Sequence, residues 1–274
     1  GRIDDPLNIK EYGAVALDLK APKKEKTTGF SVAVIGGGPG GLSAAWQLGL
    51  KGHSVDLYEA SDKIGGKLEM CIPRERLPKR ILNKELSRFA EIGVNVHVKS
   101  PVGRRTFDKI YKDHDVVVVA VGAHEGRVFP FPGHEDVVKG IDYLKEINFG
   151  KPKDLTGKKV VVIGAGNVGC DAATEARRLG AEDILLLDVQ QPASFGRERQ
   201  AAEAAGARFR WPAVTREITA AGVTLADGEE IAADTIIVSI GDVPDLSFLP
   251  EGIAAERGFV QFSKRADGER LAGA

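Results

Sequence analysis

Two stretches of the 274-residue chain repeat one pattern, and that repetition restricts the fold more than any other feature. The first, VAVIGGGPGGLSAAWQLGLKGHSVDLYEA, runs from Val32 to Ala60, and the second, VVVIGAGNVGCDAATEARRLGAEDILLLD, from Val160 to Asp188. Each is a continuous apolar run, a glycine-rich turn, a helix of small residues, a second apolar run and an acid. Apolar runs without alternation suit strands buried on both faces, as in parallel sheets covered by helices. The same strand–helix–strand order twice over predicts two doubly wound α/β units.

The rest of the chain extends both units. Residues 1–30, ending KAPKKEKTTG, are polar and lysine-rich, and are expected to form a solvated N-terminal arm leading into the first strand. A helix is expected from about Gly40 to Lys51, closed by Gly52, with SVDLYE as the next strand. Ile81, Leu82, Leu86, Phe89 and Ile92 stand at helical spacing before Gly93. VNVHV alternates as a strand, DVVVVAVGA (Asp115 to Ala123) reads as another buried strand, and FPFPG breaks the pattern. In the second unit a helix from about Arg197 to Ala205 leads to the strand ARFRW. GVTLADGEEI reads as a hairpin turning at Asp227-Gly228, a pair suited to a type I′ turn, and TIIVSIG (Thr235 to Gly241) as a buried strand.

The glycines carry the chemistry. Gly36, Gly38 and Gly41 occupy the G-x-G-x-x-G positions: the first for a tight strand-to-helix turn, the second for backbone approach to a pyrophosphate, the third for close helix–strand packing. The diphosphate of a dinucleotide then meets the helix N-terminus, where free N–H groups favour an anion. Glu59 ends the second strand and is placed to accept hydrogen bonds from ribose hydroxyls. Gly164, Gly166 and Gly169 repeat the pattern, and Asp188 takes the place of Glu59. A carboxylate there pairs with a free 2′-hydroxyl and repels a 2′-phosphate, which predicts NAD(H) over NADP(H). Arg197 and Arg199 have two readings, as counter-charges for a phosphate or, more ordinarily, as solvation of a helix start. Two dinucleotides in one chain imply hydride transfer between them, a reaction that needs stacked rings in a water-poor cleft and no side-chain nucleophile.

Composition excludes several other classes. The net charge of −1 gives no basic footprint for nucleic acid, and no apolar run reaches the length of a membrane span. Cys71 and Cys170 form no CxxC, which weighs against a thiol-disulfide reductase and suits a cytoplasmic protein. Two thiols cannot supply the four ligands of an ordinary iron–sulfur cluster. His53, His97, His114, His124 and His134 show no metal-ligand spacing and are expected in surface or loop roles; no metal site is expected.

YEASDKIGG followed by IPRERLPKRIL, then VVAVGA, GAGNVGCDAA and SIGDVPDLSFLP, together resemble the NAD(P)H- and FAD-dependent oxidoreductases typified by the glutamate synthase small (beta) subunit, to which the flavin-bearing part of dihydropyrimidine dehydrogenase is related. The resemblance spans Pro6 to about Phe262 and implies two Rossmann-like units, an FAD domain interrupted by an NAD(P) domain. It divides the chain into an arm (1–30), a first part of the FAD-binding domain (31–125), an NAD(H)-binding domain (126–240) and an incomplete return segment (241–274). It implies that Gly36, Gly38, Pro39, Gly40 and Gly41 hold the FAD diphosphate, that Glu59, Ala60 and Lys67 follow the adenosine and the flavin-side loop, that Arg76 is a fixed cation near the phosphates, and that Val102 approaches the adenine. Gly164, Ala165, Gly166, Asn167 and Val168 would bind the nicotinamide dinucleotide, with Asp188. Val189 and Gln190 stand where NADPH-using relatives carry basic residues, a departure that favours NADH. Family members carry an iron–sulfur domain upstream and a glycine–aspartate flavin motif downstream. Neither is found here, so the chain is expected to be truncated at both ends. Electrons would pass to an iron–sulfur domain or redox partner subunit. The alternative is a nucleotide-binding module without turnover.

Overall fold

The structure, a computed structural model, describes residues 19–251 together with 253, 255–256, 259–260, 262–264 and 270–272. The segment Pro6–Lys10 lies outside the described residues. The chain forms two compact units. One is built from the chain before Met70, Arg74–Gly122 and the chain from Leu246 on; the other from Met70–Pro73 and Ala123–Asp245.

In the first unit β1 (Ser31–Ile35), α1 (Pro39–Leu50), β2 (Ser54–Tyr58), a short α2 (Lys67–Met70), α3 (Lys79–Glu91), β3 (Val94–His97), α4 (Arg104–Asp113) and β4 (Val116–Val119) follow in order. The four strands make one parallel sheet in the order β3-β2-β1-β4, with Val32 opposite Val55 on one side and Val116 on the other. Val32 and Val34 pack with Leu42 and Ala45 of α1 and with Val55, Leu57 and Phe89, while Ile35 packs on Phe107, Phe248 and Leu249. Successive β1 residues thus feed opposite cores, which is why the run shows no alternation. Fully burying Val34, Val55 and Leu57 contributes about 1.5–3 kcal/mol each.

Several expectations are corrected here. The valine run of β4 is not buried: Val116 is 50% and Val119 39% exposed, because β4 is the edge of the described sheet. The helix α4 was not foreseen, since RRTFDKIYKD buries Phe107 and Ile110 and offers too short an apolar stripe to read. The arm is exposed where it is described, apart from half-buried Ala21, yet its backbone is tied to the first unit. The Glu25 N–H donates to Leu50 O (2.8 Å), the Thr28 N–H to Gly52 O (3.1 Å), and Arg88 donates to Leu19 O (2.9 Å). The histidines do not all keep to surface or loop roles: His97 ends β3 and the His114 side chain is 9% exposed. His97 Nε2 lies 2.7 Å from Asp56 Oδ1 and His114 Nε2 lies 3.4 Å from Oδ2, with the Tyr58 ring stacked on His97.

The second unit opens with β5 (Glu125–Gly126), β6 (Val138–Lys139) and α5 (Gly140–Asn148), the last also unforeseen. β7 (Lys159–Ile163), α6 (Asn167–Arg178), β8 (Asp183–Leu187), α7 (Gly196–Ala204), β9 (Arg208–Arg210), β10 (Thr215–Thr219), β11 (Gly222–Leu225), β12 (Glu230–Ala232), β13 (Thr235–Val238) and β14 (Asp242–Val243) complete it. Its parallel sheet runs β6-β13-β7-β8-β9, and β10-β11-β12 form an antiparallel sheet. Val160 and Val162 join Ile184, Leu186 and the alanines of α6 in one core; Val161 and Ile163 join Leu187, Ile218, Val223 and Leu225 in another. Cys71 also sits in the first of these cores, and the Asn148 amide donates to Met70 O (3.0 Å) and Ile72 O (2.9 Å). β5 and β14 pair antiparallel where the chain enters and leaves this unit.

The β11–β12 hairpin is real but its turn is not type I′. Gly228 has φ +91° while Asp227 keeps an ordinary φ, and the Gly228 N–H donates to Leu225 O (3.0 Å). That is a type I turn closed by a left-handed glycine, the usual three-residue hairpin loop. No helix among the described residues is long and apolar enough to cross a membrane.

Candidate dinucleotide sites

At the end of β1 the chain turns at Gly36, with φ +106°. A Cβ on Gly36 would stand 2.4 Å from Ala120 O, so both the turn and the neighbouring strand end require glycine. A Cβ on Gly41 would stand 1.8 Å from Gly36 O, which is what lets α1 descend directly onto the turn. Gly38 is different. Its backbone is extended, it precedes Pro39 at the helix start, and a Cβ would find nothing closer than Gly66 Cα at 3.8 Å. The protein itself makes no steric demand there; the space suits a group that approaches the backbone from outside. Gly40 is equally open. The α1 N-terminus has no side-chain cap and no acid in its first turn, so its N–H groups and dipole face that space unopposed.

Glu59 is held in place. Its Oε2 accepts from the Gly37 N–H and its Oε1 from the Ser61 N–H, both at 2.8 Å, which leaves its other lone pairs for a ligand. Exposed Ala60 follows it. The Gly65 N–H donates to Gly37 O (2.7 Å) and a Gly66 Cβ would stand 2.7 Å from Gly38 Cα, so the loop leading to Lys67 closes on the cradle. Arg76 stands half-buried in the loop before α3. Val102 stands before α4 and packs against Ile35 and Phe107. Gly37 and Gly65-Gly66 fall within the stretches 36–41 and 59–67 that the resemblance implies, but their contact with one another was not readable from the sequence.

The second cradle repeats the first. Gly164 has φ +100°, and its Cβ would stand 2.3 Å from Ser239 O; a Gly169 Cβ would stand 2.1 Å from Gly164 O. Gly166, extended at the start of α6, would meet nothing within 4 Å, and α6 again has neither a side-chain cap nor an acid in its first turn. The Ala165 N–H donates to Asp188 Oδ2 (2.9 Å), the counterpart of Gly37 and Glu59, and the Gln190 N–H reaches Oδ1 at 3.3 Å. Asn167 Oδ1 accepts from the Phe195 N–H (3.0 Å), tying the helix start to the loop after Asp188, and Val168 is half-exposed beside it. A cavity of about 640 Å³ opens here, lined by Gly164, Gly166, Asp188 and Val189 and walled by Phe129, Phe131, Val214 and Ile240. The phenylalanines of FPFPG, read from sequence as a break, are therefore cavity walls. Arg197 is exposed at the start of α7, and Arg199 is bound to Glu203 and stacked on Phe209.

Each unit thus offers open backbone for a diphosphate and a pinned carboxylate at the second strand end, a set that fits one dinucleotide apiece. The geometry is that of an α/β protein with two Rossmann-like units. The pyridine nucleotide-disulphide oxidoreductase family profile matches residues 30–266, and the chain belongs to that family. Despite the family name, its two cysteines are free, buried and not a CxxC pair. It is 37% identical, over 59% of its own length and 24% of the relative's, to the NADP(+)-dependent formate dehydrogenase subunit beta of Moorella thermoacetica. It is 32% identical to the glutamate synthase [NADPH] small chain of Azospirillum brasilense, over 83% of this chain and 50% of that one, in keeping with the resemblance read from its motifs. The chain therefore spans half or less of these relatives. The fold matches FprA from Mycobacterium tuberculosis in complex with NADPH, with a TM-score of 0.65 and 18% identity over 80% of this chain and 72% of that one.

Proposed function

We propose that the chain is the electron-input part of a flavoprotein oxidoreductase of the glutamate synthase small-subunit type, with FAD in the first cradle and NADH in the second. The observation that carries this reading is the matched pair of pinned carboxylates, Glu59 on Gly37 and Asp188 on Ala165, each beside a helix start with open glycine backbone. Bound together, a nicotinamide supplies hydride and a flavin accepts it and releases single electrons. Gly38, Pro39, Gly40 and the α1 N-terminus would hold the FAD diphosphate, Glu59 and Ala60 the adenosine end, with Lys67 and Arg76 as cations and Val102 as an apolar contact. Gly166, Asn167 and Val168 would hold the second diphosphate. The side chains bind, orient and exclude water; none is required to move a proton. Electrons would leave to a redox partner subunit or an iron–sulfur domain.

NADH is preferred because Asp188 stands, oriented by two backbone N–H groups, where the ribose 2′ position falls in this type of cradle. Two like unit charges about 4 Å apart near a protein surface repel by roughly 4 kcal/mol, so a 2′-phosphate is disfavoured. Both relatives named above use NADP(H) by name, which makes the preference a departure to be measured.

The test is an absorption spectrum after incubation with FAD and desalting, then anaerobic addition of NADH or NADPH. A retained flavin band that bleaches faster with NADH supports the reading. A colourless chain that still binds NADH leaves it a nucleotide-binding module. Asp188→Ala is expected to narrow the gap between NADH and NADPH by at least about ten-fold; faster bleaching with NADPH in the unaltered chain would refute the preference.

A further inference from the structure

Beyond Asp188 the chain runs through Val189–Phe195 without a cation, and the next ones are Arg197 and Arg199 on the first turn of α7. Ala193 lines the cavity together with Asp188, and the neighbouring Ser194 Oγ lies 3.4 Å from Arg199 Nη1. The Arg199 guanidinium thus meets the residue that follows a cavity-lining one. Yet Arg199 is not part of the lining. Its Nε donates to Glu203 one turn along α7, and its guanidinium carbon lies 3.6 Å from the centroid of the Phe209 ring. The arginine side chain is 22% exposed and its carboxylate partner 51%, so Glu203 pairs with the guanidinium from the solvent side while the guanidinium lies over the ring. A 2′-phosphate would offer the guanidinium what Glu203 already offers, a negative charge with acceptor oxygens in reach of its planar fork.

We infer that Glu203 sets dinucleotide choice by occupying Arg199, its carboxylate standing in for a 2′-phosphate. This rests on the NADH reading of the second cradle and adds a second determinant to it. Asp188 repels the phosphate, and Glu203 removes the counter-charge that would compensate.

The experiment is calorimetric titration of the full chain with 2′,5′-ADP and with 5′-AMP, which differ by the 2′-phosphate and need neither flavin nor turnover. Glu203→Ala is expected to bind 2′,5′-ADP about ten-fold more tightly, with 5′-AMP unchanged; ten-fold corresponds to about 1.4 kcal/mol. Glu203→Gln, which keeps the shape and drops the charge, should move the same way by less. The double variant Arg199→Gln with Glu203→Ala should lose the gain. Unchanged 2′,5′-ADP affinity in both Glu203 variants, or a gain that survives the loss of Arg199, overturns the role of Glu203 alone. An unaltered chain that binds neither 5′-AMP nor NADH overturns the cradle reading and this refinement with it.

Discussion

Two glycines two residues apart separate folding from binding. Gly164 and Gly166 belong to the same fingerprint, yet their surroundings are opposite. At Gly164, φ +100° costs a side-chain-bearing residue about 1–3 kcal/mol, and the added Cβ would stand 2.3 Å from Ser239 O, a backbone atom with nowhere to go. Against a total stability of about 5–15 kcal/mol, Gly164→Ala should melt the second unit far below the unaltered chain or abolish its folding. At Gly166, φ −73° and ψ −179° suit any residue, and the Cβ meets nothing. Alanine is a poorer helix cap than glycine by roughly 1 kcal/mol, and the stiffer unfolded chain returns about 0.4–1 kcal/mol, so stability should barely change. The new methyl would occupy the space through which a diphosphate reaches the α6 N–H groups. Losing one charge-assisted hydrogen bond, about 1.5–3 kcal/mol, weakens NADH at least ten-fold. Thermal melts and NADH titrations of both variants make the comparison. A Gly166→Ala protein with normal melting and unchanged NADH affinity would refute the idea that a ligand meets the backbone there; a Gly164→Ala protein melting within a few degrees of the unaltered chain would refute the steric account of the turn.

Two further outcomes concern stability. Tyr143 is 5% exposed and its hydroxyl has no hydrogen-bond partner among the described residues, while burial and the nearby Glu175 carboxylate push the phenol well above its ordinary range. Tyr143→Phe removes a buried unpaired polar group and should stabilise the chain by about 1 kcal/mol, seen as a raised melting temperature; a lowered one would mean the hydroxyl has a partner in solution. Burial pushes the Asp56 carboxyl up, but hydrogen bonds and charge from His97 and His114 outweigh it and hold the group below the usual aspartate range. A carboxylate lowered in the fold contributes stability above its unfolded value near about 3.9 and loses it as pH falls through the lowered folded value. Asp56→Asn should therefore flatten the acid side of the melting temperature–pH curve below about pH 4, and an unaltered acid limb would count against the cluster.

The cradles were legible because backbone geometry at a strand-to-helix turn leaves little choice of residue: Gly36 and Gly164 must be glycine wherever the turn occurs, and an acid two dozen residues on has a definite place beside it. The partners of that acid were not legible. Nothing in the letters says that Gly37 and Ala165 give their N–H groups to Glu59 and Asp188, since those are main-chain contacts available to any residue. β4 was misread because a run of four valines looks the same whether a sheet continues past it or stops. The helices α4 and α5 are only ten and nine residues long, so Phe107 and Ile110, or Ile141 and Leu144, give barely two turns of a period to read, and the meeting of His97 and His114 at Asp56 depends on strand register and a helix end far apart in the chain. FPFPG shows the general limit: the residues that break a local pattern are also those free to line a cavity.

The four residues Met70–Pro73 give the molecule a particular modularity. The second unit looks like a cassette running from Ala123 to Asp245, but its core includes Cys71, and Asn148 is satisfied by the carbonyls of Met70 and Ile72. A recombination that exchanged residues 123–245 alone between relatives would transplant a unit missing part of its own interior. Successful exchange has to carry the short upstream patch as well, so two stretches separated by some fifty residues of foreign unit are obliged to evolve as one piece.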